Sequence, residues 1–403
     1  MLRKILKVFL NSKLIFKTPK NCDLIVFDDV AINELKLILK NRNYFLLKNR
    51  YENIKKIYIS FNIILNFIKY FRGNLNTAYL ASIIYTINPK VVLTIQDNSP
   101  KFHDLAKLFH NKVSFIAIQQ AVRNDAIWNE YDFKKKLNIN KNKNFFLDTF
   151  LTFGKYEKDL YSKLKIKVKK FHIVGCLKLA NFFYFCKKKN MIGKKEFFDI
   201  CLISDHPPSK EKAKFLKKEY KNVEQSIVKI VKHTIKFCKK NKKSLIFSTK
   251  IKSGKQFREE MQFYKNNLSS DEFQYLVKNM YKKKKSSFSN FFQKDYSSYF
   301  SIFESRVAIG MMTSMLREKL ALGGKILACN FTNLNIFDFP IKDFLFLKET
   351  KFDIFEKRLM TILKLSEKEF FKRLGFKKNY VIVNLNESKT IYKINKILDK
   401  KLA

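Results

Sequence analysis

Gly310-Met-Met-Thr313-Ser314-Met-Leu-Arg317-Glu318-Lys-Leu-Ala-Leu-Gly323-Gly324-Lys325-Ile-Leu327 is the stretch that decides the fold. The run Val307-Ala-Ile309 before it reads as a buried strand ending at Gly310, and Thr313 and Ser314 are the residue types that cap a helix N-terminus. Gly323 or Gly324 stops that helix, and Lys325-Ile-Leu-Ala328 begins another strand. Strand, capped helix and strand at this length make a crossover unit, which implies a parallel sheet.

The same alternation extends outward in both directions. Toward the N-terminus lie strand runs Phe198–Ile203 and Ser244–Phe247, with a helix from about Lys210 to Lys240 between them. The polar stretch Ile251–Asn290 reads as an insertion with one helical piece near Asp271–Met280. A lysine-rich linker, Lys187–Lys195, separates this half from an earlier one. There Leu24–Phe27, Val91–Ile95, Ser114–Ile118, Phe150–Phe153 and Phe171–Val174 read as strands, and Tyr58–Ile63 as a strand entering a helix. Thr77–Ile87 sets Leu80, Ile83, Ile84 and Ile87 on one helical face. The expectation is an α/β protein of two doubly wound, Rossmann-like domains, residues 1–186 and 187–403, facing a cleft. The last helix, Glu387–Leu402, is expected to cross back onto the first domain.

Composition narrows the function. The 403 residues carry 82 Lys+Arg against 35 Asp+Glu, a formal charge of +47. Only 10 of the basic residues are Arg and 72 are Lys, and the lysines are scattered. Nucleic-acid recognition favours clustered Arg with interleaved aromatics, so nucleic acid is disfavoured as a partner. Scattered lysine reads first as ordinary solvated surface charge, with attraction to an anionic membrane surface as the next reading. The first residues lack a signal-peptide pattern, and the longest uncharged stretch, Gly73–Pro89, is too polar to span a bilayer, so a cytoplasmic chain is expected, and any membrane contact must be peripheral. The six cysteines show no metal-ligand spacing, and neither a metal nor a cofactor is expected.

In open parallel sheets ligands bind beyond the carboxyl ends of the strands, so the polar residues just after each strand are the candidates. After Val91–Ile95 come Asp97, read as a general base acting on an acceptor hydroxyl, and Asn98. After Ser114–Ile118 come Gln119, Gln120 and Arg123, whose guanidinium suits a carboxylate or phosphate on the acceptor. In the second half Ser204 and His206 follow a strand, His206 being suited to proton transfer or to donating to a phosphate. Lys250 closes the next strand and could face a diphosphate. Thr313 and Ser314 open a helix whose first turn can bind phosphate, Arg317 joins this donor side, and Glu318 suits a ribose diol. Each has a bland counterpart: a turn or cap at Asp97, an ion pair at Arg123 or Glu318, a solvent-facing loop at His206.

Thr313-Ser314-x-x-Arg317-Glu318-x-Leu-Ala-Leu-Gly323-x-Lys325-Ile-Leu, with Asn88-Pro-Lys-Val-Val-Leu-Thr and Ile118-Gln119-Gln120-Ala-Val-Arg123, resembles bacterial surface carbohydrate biosynthesis proteins, which are similar to glycosyltransferases of the GT-B architecture. The resemblance implies donor phosphate and nucleotide contacts at Ser314 and Glu318. His206-Pro207 is similar to the His-Pro dipeptide of bacterial transferases that use CMP-activated Kdo, which points to a CMP-linked donor. The expected activity is transfer of a sugar from a nucleotide-sugar donor to a glycan or lipid-linked acceptor, on the inner face of the membrane. A polyol-phosphate transferase or a nucleotide-sugar epimerase would use a similar cleft. From another class, the alternative is a basic nucleic-acid- or membrane-binding protein without catalysis.

Overall fold

The computed structural model describes residues 10–29, 32–50, 53–122, 145–163, 166–188, 197–206, 219–250, 252–281, 290–311, 313–375, 377–383 and 387–403. Most of the expected linker at 187–195 and the first part of the expected helix from Lys210 lie outside these residues.

In chain order the strands are β1 (Lys13–Ile15), β2 (Leu24–Phe27), β3 (Phe45–Leu47), β4 (Lys56–Tyr58), β5 (Val91–Thr94), β6 (Ser114–Ile118), β7 (Phe146–Thr152) and β8 (Lys167–Ile173), then β9 (Phe198–Ile203), β10 (Leu245–Ser248), β11 (Ser305–Gly310), β12 (Lys325–Cys329) and β13 (Phe346–Leu347). They form a six-stranded sheet in the order β3-β2-β5-β6-β7-β8, a five-stranded sheet in the order β10-β9-β11-β12-β13, and a two-stranded pair β1-β4. Every pairing is parallel. The protein is α/β, with two doubly wound sheets.

Alternation along the strands divides the N-terminal sheet into two dry faces. Ile25, Phe27, Val92 and Phe115 face the helix Leu75–Ile87 and the helix Pro100–Phe109. Leu24, Val26, Val91, Leu93 and Ile116 face the other way, where they meet Leu177 together with Ile394 and Leu398 of the helix Glu387–Leu402. The end of the chain thus completes the core of its beginning. Gly154 marks the route by which it returns: a Cβ there would lie 2.5 Å from the Tyr380 carbonyl oxygen and 2.9 Å from the Ile382 nitrogen, so no larger residue fits. Next to it, the Val383 N–H donates to the Phe153 carbonyl at 3.0 Å.

The C-terminal core gathers around β9, β11 and β12 and draws in Phe153 and Phe182 from the first half. Two buried lysines hold it together by an electrostatic device. Lys319 donates to the carbonyl of Ile302, in the last turn of the helix Asn290–Phe303, and to that of Ser305, the first residue of β11, and Lys325 donates to those of Leu363 and Leu365 at the end of the helix Phe352–Lys364. The Ile302, Leu363 and Leu365 carbonyls are ones that a helix C-terminus leaves without intrahelical partners.

Candidate functional site

Each sheet reverses its winding at one gap, between β2 and β5 in the first and between β9 and β11 in the second, and these gaps are where crevices form. At the second gap the Asp205 carboxylate accepts from the Met311 N–H at 2.6 Å, tying the exit of β9 to that of β11. Gly310 permits this, since a Cβ there would come within 3.1 Å of the same carboxylate oxygen. Ser204 shares a 2.7 Å hydrogen bond with the Tyr264 hydroxyl, and the His206 N–H donates to Ser204 Oγ at 3.4 Å. The His206 ring packs edge-on against Phe263, with centroids 5.2 Å apart. Burial, and after it Lys250, lowers the His206 pKa below the ordinary 6.5, so the imidazole is neutral at pH 7.

Two residues that sequence reasoning missed belong here. Lys252 points its ammonium at the end of β10, donating to the Thr249 carbonyl at 2.8 Å, and burial lowers its pKa to about 8. Glu260 is buried one helical turn before Tyr264 and accepts from the Lys250 N–H at 3.0 Å. The Lys250 side chain, expected at the diphosphate, is exposed. Thr313 caps the helix Ser314–Ala321 by accepting from the Met315 N–H at 3.2 Å. Thr313, Ser314, Asp205, His206 and Lys252 are all half-buried, packed in place yet open to a ligand.

Other expected site residues lie elsewhere. Arg317 is buried and bonds Glu157 at 2.6 Å, while its guanidinium lies 4.7 Å from the centre of the Tyr156 ring. Gln119, placed on the acceptor side, donates to the same Glu157 oxygen at 2.8 Å and accepts from the Phe153 N–H at 2.7 Å. One residue expected at the donor and one expected at the acceptor thus meet on Glu157 as an interdomain clasp. Burial raises the Glu157 pKa against the pull of Arg317 and Gln119. Glu318, expected on a ribose, is 2% exposed and sits beside Cys176, Tyr299 and Ser314, and burial raises its pKa. The helix is buried all round from Leu316 to Ala321, so Glu318 has no solvent-facing side to occupy.

At the N-terminal gap, Asp97 is fully buried and accepts from the Tyr161 hydroxyl at 3.1 Å, so the expected cleft-facing base is sealed from solvent. Asp28, a left-handed residue with φ 75°, accepts from Arg50 Nε at 3.1 Å, and the Gln96 amide bridges the two. Asn98 and Gln120 are half-buried, and Gln120 donates to Glu34 at 3.2 Å. Arg123 lies outside the described residues. Among the described residues no three His, Cys, Asp or Glu side chains come together as metal ligands, and no helix is long and apolar enough to cross a membrane.

No protein-family profile and no curated protein sequence matches the chain. Solved structures do. Sucrose-phosphate synthase from Thermosynechococcus elongatus superposes over 94% of this chain and 98% of its own, with a TM-score of 0.51 and 9% identity. The likeness is one of fold. It is the arrangement of two Rossmann-like domains known as GT-B. Further matches are UDP-GlcNAc 2-epimerase from Neisseria meningitidis bound to UDP-GlcNAc (TM-score 0.48, 14% identity, 94% of this chain and 98% of that one) and the wall teichoic acid polymerase TagF (TM-score 0.46, 10% identity, 100% and 96%).

Proposed function

We propose that the chain is a glycosyltransferase that moves a sugar from a nucleotide-activated donor to a glycan or lipid-linked acceptor of the bacterial surface. The observation that carries this is the carboxyl edge of the C-terminal parallel sheet, where half-buried His206 follows β9, Lys252 follows β10, and Thr313 and Ser314 follow β11 at the reversal of winding. The reading assigns the donor diphosphate or phosphate to the first turn of the Ser314 helix, with Lys252 as counter-charge. His206, neutral at pH 7, donates to a phosphate oxygen or takes the proton of the attacking hydroxyl. Fixed dipoles and an ammonium stabilise the leaving phosphate, which is the charge that grows in the transition state. Asn98 and Gln120 line the acceptor side.

The test is a calorimetric titration with CMP, CDP, UDP and GDP. Micromolar binding of one of them, lost in Lys252→Ala and Ser314→Ala, supports the reading, and CMP is the nucleotide expected. Absence of binding by all four overturns it. Conversion of the nucleotide sugar to its epimer without an acceptor would replace transferase by epimerase at the same site.

A further inference from the structure

The helix Phe61–Tyr70 has apolar residues on both sides. Its inner side is accounted for: Ile63 is buried, and Tyr70 packs on Tyr85 and Phe109 with ring centroids 5.8 and 5.5 Å apart. Its outer side is not. Phe61, Ile64, Leu65 and Ile68 recur at helical spacing and are 74, 47, 48 and 66% exposed, and Phe71, just past the end, is 47% exposed. A soluble face would carry charge at these positions.

The small β1-β4 pair extends the patch. Ile15 pairs with Tyr58 and the Ile59 N–H donates to the Ile15 carbonyl at 2.8 Å, which brings Phe16, 76% exposed, alongside the start of this helix. Around the apolar surface stand exposed Lys13, Lys17, Lys56, Lys69 and Arg72. Residues 10–20 and 53–75 contain no Asp or Glu at all. Elsewhere some lysines are paired with carboxylates, as where Lys240 meets Glu356 and Lys243 meets Asp199.

We propose that this face docks the protein on an anionic lipid bilayer. Phe16, Phe61, Ile64 and Ile68 enter the boundary between headgroups and acyl chains, and the basic rim lies on the negatively charged headgroups. These two segments carry basic residues and no acidic ones, so the face they form repels a second copy of itself and attracts anionic headgroups. Long lysine stems cover apolar surface while their ammonium groups reach the headgroup plane, so the two kinds of residue act together.

The experiment is co-sedimentation of the whole chain with vesicles of phosphatidylcholine alone and of phosphatidylcholine with phosphatidylglycerol. Binding is expected only to the mixed vesicles, weakening steeply with salt. Replacing Ile64 and Ile68 together by Glu should weaken it at least tenfold, and Ile64→Ser with Ile68→Ser, a milder pair, should weaken it without added charge. Each of Lys13→Ala, Lys69→Ala and Arg72→Ala should weaken it about fivefold, while Lys240→Ala leaves it unchanged. Circular dichroism establishes that each variant is folded. Equal binding to neutral and anionic vesicles, or unchanged binding by both isoleucine pairs, overturns the proposal. So does sedimentation velocity showing a dimer that Ile64→Glu dissolves, since the face would then belong to a second copy.

Discussion

The carboxyl edges of the two sheets are built from similar residue types and are used differently. At the N-terminal edge the polar side chains bond one another: Asp28 to Arg50, Asp97 to Tyr161, Gln119 and Arg317 to Glu157. At the C-terminal edge Ser204 bonds Tyr264, Asp205 accepts from the Met311 N–H and the Lys252 ammonium meets the Thr249 carbonyl, while Asp205, His206, Lys252 and Ser314 are each half-open. A group already satisfied by protein partners has little to gain from a ligand, whereas one that is desolvated and partly open gains a charge-assisted bond. On the proposed reading the bonded groups of the first edge are structural and the half-open groups of the second bind the donor, and each half of that reading can be broken separately.

The largest effect expected is at the clasp. Arg317→Ala leaves Glu157 buried without its counter-ion and should cost about 3–5 kcal/mol in urea unfolding. Arg317→Met combined with Glu157→Gln should cost much less, because the charge that needed a partner is gone. Nucleotide affinity of the folded fraction should not move in either variant. If it falls in step with stability, Arg317 belongs to the donor site and the division between the edges fails.

Lys252→Ala should do the reverse, weakening nucleotide binding about ten- to a hundredfold with little loss of stability. Since the Lys252 pKa is lowered to about 8, native affinity should also fall as pH rises through 8, where the ammonium loses its proton. A flat pH profile from 7 to 9 would exclude Lys252 as the counter-charge.

The next effect belongs to the N-terminal edge. His103 is buried, with Nε2 2.7 Å from the Asp97 carbonyl oxygen and Nδ1 3.0 Å from that of Phe146, and burial lowers its pKa to about 4. The unfolded chain takes up a proton near 6.5 that the native chain refuses until about 4, so stability is lost as pH falls through that window. At pH 5 the loss relative to neutral pH should be about 2 kcal/mol, and His103→Gln should abolish this part of the pH dependence.

The strands were legible because a parallel sheet covered on both faces needs continuous apolar runs: Leu24–Phe27, Ser114–Ile118 and Phe198–Ile203 have the bounds their runs suggest. β7 begins four residues before its expected start because Asp148 interrupts its run, yet that carboxylate is buried and accepts from the Phe115 N–H at 3.0 Å. The helix Gly254–Asn267 reads as a polar insertion because the residues it buries are Glu260 and Tyr264, which an apolar periodicity does not register. For the site, the rule that ligands lie past strand ends led to Ser204, His206, Thr313 and Ser314, but not to the direction in which each side chain points. Nothing in a chain with 72 lysines separates Lys252 from Lys250; only burial does. Glu157 follows Tyr156 in a segment with no motif, and its role exists only because two domains close over it.

Asp97 gives the smallest expected effect and the sharpest discrimination. Its carboxylate accepts from the Tyr161 hydroxyl in a fully buried setting, and its carbonyl faces His103. Asn is nearly isosteric and keeps an oxygen that accepts from Tyr161, so Asp97→Asn should change stability by no more than about 1 kcal/mol. A buried bond that only shapes the loop survives this exchange, and turnover with the matching nucleotide sugar should stay within about threefold of native, with affinity unchanged. A general base does not survive it, because an amide cannot take a proton; loss of that function costs about a hundredfold or more in kcat with KM preserved. A large kcat loss in Asp97→Asn, with stability and nucleotide affinity intact, would mean that the N-terminal edge opens to the acceptor during turnover. Unchanged kcat would leave His206 as the group that moves the proton, and His206→Gln should then carry the loss that Asp97→Asn does not.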